Sequence, residues 1–401
     1  MPDDQAVVAT RANLQGFTEA GLAAFNAAFH GLVDEKKLAN VVTLVARHGE
    51  IVNLDAYGVI DASDPARGPV RADSIFRIAS MTKPITGAAM MMLFEEGKWA
   101  LEDPVAKHIP AFADLKVRRK DGDPVPQARP MTMAQLMSHT AGFGRAGEYA
   151  DKGVNLRAGD LQDMIDQLAG LPLSFQPGTD WRYGPSVDIQ GYLVEQMSGM
   201  GLDEFFEQRL FAPLGMKDSG FWVDPAKGDR VVPIHKYDEA GVIRAAGEAN
   251  IFNQARPKFL AGGGGLVSTA QDYWRFAQMI LNGGEAGGRR YLKAETVQLM
   301  HTSVLEPGVN VTLYSPDTKG LGFGMDFAIV EDPAAAKTSQ GVQSFYWGGA
   351  FGTWFWIDPV SDMIVIGMIQ NVAGSQTAAG NPAVRELSAE RIYAAMSDPQ
   401  P

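Results

Sequence analysis

The sequence Ser80-Met81-Thr82-Lys83 opens an unusually apolar segment of this 401-residue chain, which runs from Pro84 to Phe94. Pro84 suits the first turn of a helix, where its missing N–H costs little, and Gly97 suits the helix end. Residues i and i+3 of a helix share one face, so we expect Lys83 to lie beside the Ser80 hydroxyl. A serine needs a neighbouring base or cation to act as a nucleophile. The pair is therefore a candidate catalytic site, although an ordinary amphipathic helix start would give the same pattern.

Composition narrows the function classes. The chain is 46% hydrophobic and 20% charged, as soluble globular proteins are. Its net charge of −12 argues against partners that require cationic patches, namely nucleic acid and anionic membrane surfaces. The sequence has no cysteine, which excludes disulfides, cysteine zinc sites and thiol nucleophiles.

The N-terminus predicts no export signal. Met1-Pro2-Asp3-Asp4 is acidic, whereas a signal peptide begins with a basic and then an apolar region. The longest apolar run, Ile85 to Phe94, is too short to cross a bilayer. A cytoplasmic location is the expectation.

Strand patterns lie near both ends of the chain and helical patterns lie between them. The predicted strands are 41–47, 51–58, 323–330, 344–347, 352–357 and 363–370. The predicted helices are 14–38, 133–138, 161–169, 187–197, 202–210, 270–282 and 382–396. This order predicts an α+β fold in which an antiparallel sheet is flanked by helices. Residues 1–114 and 255–401 would form that domain, 115–254 a mostly helical inserted domain, and the cleft between them the active site.

Two further segments are candidates for the same site. Tyr183 lies in a Gly/Pro turn before a helix, and a phenol next to an ammonium group can serve as a general base. Trp347-Gly348-Gly349-Ala350 lies between two predicted strands, where glycines allow close approach of a substrate and a backbone N–H can stabilise an oxyanion. A packing tyrosine and a tight hairpin turn are the alternatives.

The remaining motifs predict structure rather than chemistry. Gly262 to Gly265 lacks the residues of a phosphate-binding loop and predicts close backbone packing. His139 is interpreted as a structural, hydrogen-bonded histidine at a helix end. No serine lies in a G-x-S-x-G elbow.

These segments, in this order, resemble the serine β-lactamase and penicillin-binding-protein superfamily over about residues 40 to 390. The similarity is greatest to class C β-lactamases and, closer still, to family VIII carboxylesterases. Besides the Ser-Lys pair, it rests on four segments similar to family motifs: Leu136 to Phe143, Pro177 to Tyr183, Phe211 to Ser219 and Gly263 to Asp272.

The resemblance implies a role for each matching residue. Ser80 would be the acyl-forming nucleophile, Lys83 would polarise it, and Tyr183 would be the general base. The backbone N–H groups of Ser80 and Ala350 would form the oxyanion hole. The predicted substrate-binding residues are Trp347, Gly348, Gly349, Phe351 and Trp181. This chemistry needs neither a metal nor an organic cofactor.

Two departures from the family pattern favour an esterase. β-Lactamases carry Lys-Thr-Gly where this chain has Trp347-Gly348-Gly349, so a cation that binds the antibiotic carboxylate is replaced by an indole. Pro185 stands where the pattern has asparagine. Lys337-Thr338-Ser339 looks like the missing motif, but it lies in a polar stretch before the strand and is assigned to a loop.

The sequence therefore predicts a serine carboxylesterase acting on short-chain or compact small-molecule esters, with weak β-lactamase activity at most. A β-lactamase or an acyltransferase of the same fold remains an alternative, and a non-catalytic penicillin-binding-like sensor is an alternative of another class. The sequence gives no oligomeric state.

Overall fold

The computed structural model describes residues 14–246, 253–312, 318–372 and 383–397. The strands in these ranges are β1 (Asn40–Arg47), β2 (Glu50–Gly58), β3 (Phe76–Arg77), β4 (Lys116–Val117), β5 (Val125–Pro126), β6 (His235–Tyr237), β7 (Ile243–Ala245), β8 (Val267–Ser268), β9 (Glu285–Ala286), β10 (Arg289–Arg290), β11 (Leu321–Phe323), β12 (Ala328–Val330), β13 (Phe345–Gly348), β14 (Trp354–Asp358) and β15 (Met363–Met368). The helices are α1 (Glu19–Asp34), α2 (Thr82–Glu95), α3 (Met133–Met137), α4 (Ala146–Ala150), α5 (Leu161–Ala169), α6 (Ser186–Ser198), α7 (Leu202–Phe206), α8 (Ala212–Leu214), α9 (Ala270–Leu281), α10 (Ala294–Met300), α11 (Pro333–Ala336) and α12 (Val384–Ala395).

One large antiparallel sheet joins the two ends of the chain. Its order within the described residues is β11-β12-β13-β14-β15-β1-β2, so the strand nearest the C-terminus pairs with the first strand. β1 and β15 are buried along their whole length, which places the core at the centre of the sheet. The β1–β2 hairpin turns at His48 and Gly49, whose φ angles of 53° and 77° are typical of a two-residue type I′ turn.

Helices cover both faces of this sheet. Phe29 of α1 stacks on Trp354 of β14, and Tyr273 of α9 packs against Phe355, the next residue of the same strand. Successive strand residues point to opposite faces, so α1 and α9 lie on opposite sides of the sheet. α12 packs on α1, where Gly21 admits the backbone of Ala395. α2 lies against α6, which brings the Ser80 segment next to the helical part of the chain.

The predicted α+β fold with an antiparallel sheet is confirmed, and several element boundaries need correction. The predicted helix 14–38 is the shorter α1, and the predicted strand 363–370 ends at Met368. The run 323–330 is not one strand: β11 ends at Phe323, a tight turn follows with a bond from Gly324 N–H to Phe327 O, and β12 begins at Ala328. β14 begins at Trp354 rather than at residue 352. The predicted helix 202–210 is α7 followed by a π-helical turn, Glu207–Phe211.

The proposed division into 1–114 with 255–401, and 115–254, stays a prediction, as does the cytoplasmic location. Across the described ranges, every helix is too short or too polar to cross a lipid bilayer.

Candidate active site

Ser80 lies in a short 3-10 turn, Ala79–Met81, that leads directly into α2. The Lys83 side chain is almost completely buried, and its Nζ donates to Ser80 Oγ at 3.3 Å and to the Gly263 carbonyl at 2.5 Å. Ala79 has a φ of 44°, which is uncommon for a residue with a Cβ and is the kind of backbone strain found at functional sites. The predicted contact between Ser80 and Lys83 is present.

This turn belongs to what we call the inner wall, which consists of residues 79–86 and 262–266. Hydrogen bonds from threonine side chains join the two segments. Thr82 Oγ1 donates to Ala79 O at 2.7 Å and accepts from Leu266 N–H at 3.1 Å. Thr86 Oγ1 donates to Gly262 O at 2.7 Å. A Cβ on Gly262 would lie 2.8 Å from Val187 O, so only glycine allows this approach to α6. The glycine run packs closely, as predicted.

Asp188 of α6 fixes the carbonyl that holds Lys83. Its Oδ1 accepts from Gly263 N–H at 2.7 Å, and its Oδ2 accepts from Arg157 at 3.1 Å. The same Gly263 accepts from Lys83 through its oxygen, so the carboxylate orients the Lys83 amine through one residue. Sequence reasoning missed Asp188, although an acidic residue on the apolar face of a helix was a usable signal.

Tyr183 lies across from Lys83. The Lys83 Nζ is 4.4 Å from the centre of the phenol ring, within range of a cation–π attraction. The Tyr183 hydroxyl accepts a hydrogen bond from Trp347 Nε1 at 3.2 Å. Lys83 therefore contacts the ring face of Tyr183, and Trp347 contacts its hydroxyl oxygen. The structure therefore brings together the three predicted catalytic side chains and Trp347.

Three aromatic or imidazole rings support Tyr183 from behind. Trp181 is fully buried and stacks on Tyr183 with ring centres 6.1 Å apart, and Phe323 packs against Trp181 at 5.4 Å. The geometry does not support the predicted contact of Trp181 with a substrate, because its ring supports Tyr183 instead. His139 is also buried against Tyr183, and neither ring nitrogen has a hydrogen-bond partner among the described residues, contrary to the predicted hydrogen-bonded histidine.

The loop Trp347–Thr353 forms the opposite side, which we call the outer wall. Gly349 N–H donates to Thr353 O at 2.7 Å, and Thr353 Oγ1 donates to Ile78 O at 3.2 Å, which ties the loop to the turn before Ser80. A Cβ on Gly349 would lie 2.5 Å from Ile78 O. Neither Ser80 N–H nor Ala350 N–H donates to another described residue, as an oxyanion hole requires.

A cavity of about 610 Å³ opens along the outer wall and reaches the inner wall at Ser80; its size is typical of small-molecule sites. Its lining includes Ser80, Tyr183, Trp347, Gly348, Gly349 and Ala350. The far end is lined by Leu38, Ile369, Asn371 and the first residues of α12. Phe351 is half-buried between lining residues and is not itself part of the lining. Lys337 caps the end of α11 on the exposed surface, outside this lining, as predicted.

Two buried titratable groups stand near Lys83. Burial, with a smaller contribution from the Lys83 charge, holds the pKa of His139 well below its usual range, so this imidazole is neutral. Burial also raises the pKa of Asp326 well above its usual range, opposed by a bond from Gln190 and by Lys83. Asp326 lies in the turn between β11 and β12 and was not identified from the sequence.

Comparisons with known proteins show the family of this chain. The profile of the Beta-lactamase family matches residues 25–389. Protein Rv1367c of Mycobacterium tuberculosis is 34% identical over 382 residues, which cover 90% of this chain and 94% of that protein. Esterase EstB of Burkholderia gladioli is 32% identical over 380 residues, which cover 88% of this chain and 91% of that protein.

A solved structure shares the fold. EstCE1, described as a hydrolase with promiscuous acyltransferase activity, superposes with a TM-score of 0.77 at 24% sequence identity. The match covers 93% of this chain and 99% of that chain. With the family profile spanning the sheet, the inner wall and the outer wall, this chain belongs to the beta-lactamase family.

Proposed function

We propose that this chain is a serine carboxylesterase that hydrolyses short-chain or compact carboxylic esters. The observation that carries the proposal is the Trp347 indole on the Tyr183 oxygen, at the position where β-lactamases have a lysine. An indole N–H assists the phenol as a donor but offers no cation to a substrate carboxylate. A neutral ester therefore suits the cavity better than an anionic antibiotic.

The proposed reaction is a two-step acyl transfer. Tyr183, as the general base beside Lys83, accepts the Ser80 Oγ proton while Oγ forms a bond to the ester carbonyl carbon. The N–H groups of Ser80 and Ala350 stabilise the oxyanion, the C–O bond to the alcohol breaks, and the Tyr183 proton passes to the departing alcohol. Water then attacks the acyl-enzyme by the reverse sequence, which releases the acid and restores Ser80.

Relatives support an ester as the substrate. EstB is named an esterase, and a further relative, 29% identical over 384 residues, is named lovastatin esterase, from Penicillium rubens. Together with the Trp347-Gly348-Gly349 segment, these similarities are consistent with a family VIII carboxylesterase.

The substrate test compares esters with a β-lactam on wild-type protein and Ser80→Ala. We expect wild type to hydrolyse p-nitrophenyl acetate and butyrate with a kcat/KM well above that for benzylpenicillin, and Ser80→Ala to be folded and inactive. Full ester turnover by folded Ser80→Ala would remove the assignment of Ser80. Equal efficiency on benzylpenicillin and on the best ester would contradict the argument from Trp347.

The other candidates differ in the fate of the acyl group. An acyltransferase would convert an added alcohol into a new ester faster than water releases the acid, which product analysis measures. A non-catalytic sensor would keep a stable adduct on Ser80, visible as a persistent mass increase. We expect no stable adduct, because the Ser80 and Tyr183 side chains, which act in both steps of the proposed reaction, each contact Lys83.

A further inference from the structure

A buried carboxyl group behind Lys83 has no part in the proposed reaction. Asp326 is completely buried, and its φ of 65° turns the tight β11–β12 connection inward. Its N–H donates to Met137 O at 3.3 Å, which ties the turn to the end of α3. Aspartate is rarely fully buried without a partner for its charge. The contacts of this carboxyl group therefore need an explanation.

The Asp326 carboxyl group packs against α2 at Gly87, one helical turn after Lys83. A Cβ built on Gly87 would lie 2.9 Å from Asp326 Oδ2, so the missing side chain of Gly87 makes the space for this oxygen. Gly87 follows Lys83 by four residues and therefore shares its helix face. Lys83 already donates to Ser80 Oγ and Gly263 O, and within the described residues neither oxygen of Asp326 accepts a hydrogen bond from it.

Gln190 of α6 supplies the single hydrogen bond that Asp326 accepts within the described residues. Gln190 Nε2 donates to Asp326 Oδ1 at 3.2 Å. Two buried atoms of the same pair, Asp326 Oδ2 and Gln190 Oε1, have no partner among the described residues. With an ionised carboxylate both atoms are acceptors, so neither can satisfy the other. A buried acceptor without a donor is costly.

One proton on the carboxyl group gives both of these unpaired oxygen atoms a hydrogen bond. If Oδ2 carries a proton, it becomes a donor to Gln190 Oε1, and the acid and the amide form a cyclic pair with two hydrogen bonds. We propose that Asp326 is a neutral carboxylic acid paired in this way with Gln190, and that it therefore places no negative charge behind Lys83 to compete with Ser80 and Tyr183. The functional half of this inference rests on the proposed esterase reaction, in which Lys83 assists Ser80 and Tyr183.

The groups packed against Asp326 are consistent with a neutral acid. Lys83 of α2 is the charged group that acts electrostatically on this carboxyl group, and Gln190 of α6 is a neutral amide. The end of α3 contributes the Met137 carbonyl, and His139, which follows it, is held neutral by burial. Burial raises the pKa of Asp326, in the same direction as the pairing requires. Asp326 is a positioning residue in this scheme, since it acts through Lys83.

The first test is the pH dependence of thermal stability in Asp326→Asn, measured without substrate. Asparagine can form the same two bonds with Gln190 and cannot ionise. A neutral Asp326 binds a proton that the unfolded chain releases, so wild type loses stability as pH rises from about 4, and the variant lacks this loss. We expect the Tm of Asp326→Asn minus that of wild type to increase from pH 5 to pH 9.

The opposite sign would overturn the proposal. If Asp326 were the carboxylate partner of Lys83, Asp326→Asn would be less stable than wild type, by an amount that is constant from pH 5 to pH 9 and shrinks only below about pH 4. A difference independent of pH over this range would therefore contradict a neutral acid. The Tm measurement uses no substrate, so its outcome is independent of the esterase assignment.

A second measurement covers the case in which Asp326→Asn does not fold. Wild-type protein with carbon-13 in its aspartate carboxyl groups is titrated by NMR, with Gln190→Met as the matched variant. We expect one carboxyl resonance to keep the shift of a neutral acid above pH 7 and to move in Gln190→Met. Absence of such a resonance in wild type would overturn the proposal. In folded Asp326→Asn, we also expect the alkaline limb of kcat/KM to lose the contribution of this group.

Discussion

The two walls of the cavity are built in different ways. In the inner wall, the side chains of Thr82, Lys83 and Thr86 each bond to backbone atoms of neighbouring segments, and Asp188 fixes the glycine run from behind. The outer wall is held chiefly by backbone bonds and by Thr353, and Ala350 at its tip is exposed.

This difference separates two tasks. The inner wall holds the Lys83 amine within hydrogen-bond distance of Ser80 Oγ, and small displacements there are costly because proton transfer depends on geometry. The outer wall contributes an indole, two glycines and an N–H group, which shape the entrance and select the substrate. Changes in the inner wall should therefore abolish turnover, whereas changes in the outer wall should alter its degree and preference.

Removal of the Lys83 charge should give the largest effect. Lys83→Met keeps a long unbranched side chain but loses the cation 4.4 Å from the Tyr183 ring and the donor to Ser80 Oγ. We expect kcat/KM for p-nitrophenyl butyrate to fall by about 10³-fold, within the range for loss of an acid–base group. Lys337→Met, at the exposed lysine that caps α11, is the matched control and should retain wild-type turnover. A loss below tenfold in Lys83→Met would contradict the proposed role.

Acid should weaken the support of the outer wall through His235. His235 is fully buried at the start of β6, accepts from Ala62 N–H at 3.1 Å, and lies next to Asn371, whose N–H donates to Phe351 O. Burial is the main cause that lowers the pKa of His235 to about 4. The unfolded chain binds a proton below pH about 6.5 while the folded histidine stays neutral, so stability is lost as pH falls from about 6.5 to about 4.

The measurement is chemical denaturation from pH 7.5 to pH 4 on wild type and His235→Gln. We expect wild type to lose about 3 kcal/mol more than the variant over this range, from the shift of roughly 2.5 pKa units at 1.36 kcal/mol each. His139 is unchanged in both proteins, so its contribution cancels in the comparison. Equal losses would show that His235 does not titrate as described.

A substitution of Asp188 tests whether activity depends on the support of the inner wall by α6. Asp188→Ala removes the acceptor of the Gly263 N–H and leaves this buried donor without its partner. We expect kcat for esters to fall by roughly 30-fold, since loss of one buried hydrogen bond costs about 2 kcal/mol. KM should change little, because Asp188 does not line the cavity. The exposed partner Arg157→Ala is the milder comparison, and an effect as large as that of Asp188→Ala would place the main role in the ion pair instead.

The sequence predicted best what depends on local spacing. The Ser80–Lys83 contact follows from helix geometry, and the β1–β2 hairpin follows from the alternation around His48 and Gly49. Family resemblance added Tyr183 and Ala350, whose positions relative to Ser80 no local pattern specifies. These predictions concern contacts between residues that are close in sequence, or residues that belong to a family motif.

The sequence failed where burial depends on distant segments. Trp181 was expected in the cleft because aromatic residues favour binding sites, yet β11 brings Phe323 against it and closes it off. Asp188 and Asp326 were missed because each acts through a contact made by the tertiary fold, with Gly263 and with Gln190. Because residues 323–330 were predicted as one strand, the turn that points Asp326 inward was not predicted.

Trp347→Phe should give the smallest of the four effects and tests the outer wall directly. Phenylalanine keeps an aromatic ring against Tyr183 and Phe323 but removes the N–H that donates to the Tyr183 hydroxyl at 3.2 Å. A hydrogen bond to a charged oxygen contributes about 1.5 kcal/mol at the low end of its range, so kcat/KM for esters should fall about tenfold. Phe351→Leu, in the same loop without a bond to Tyr183, should change kcat/KM less. If Trp347→Phe matched the loss in Lys83→Met, the indole would belong with the reacting groups of the inner wall, and the division between the two walls would fail.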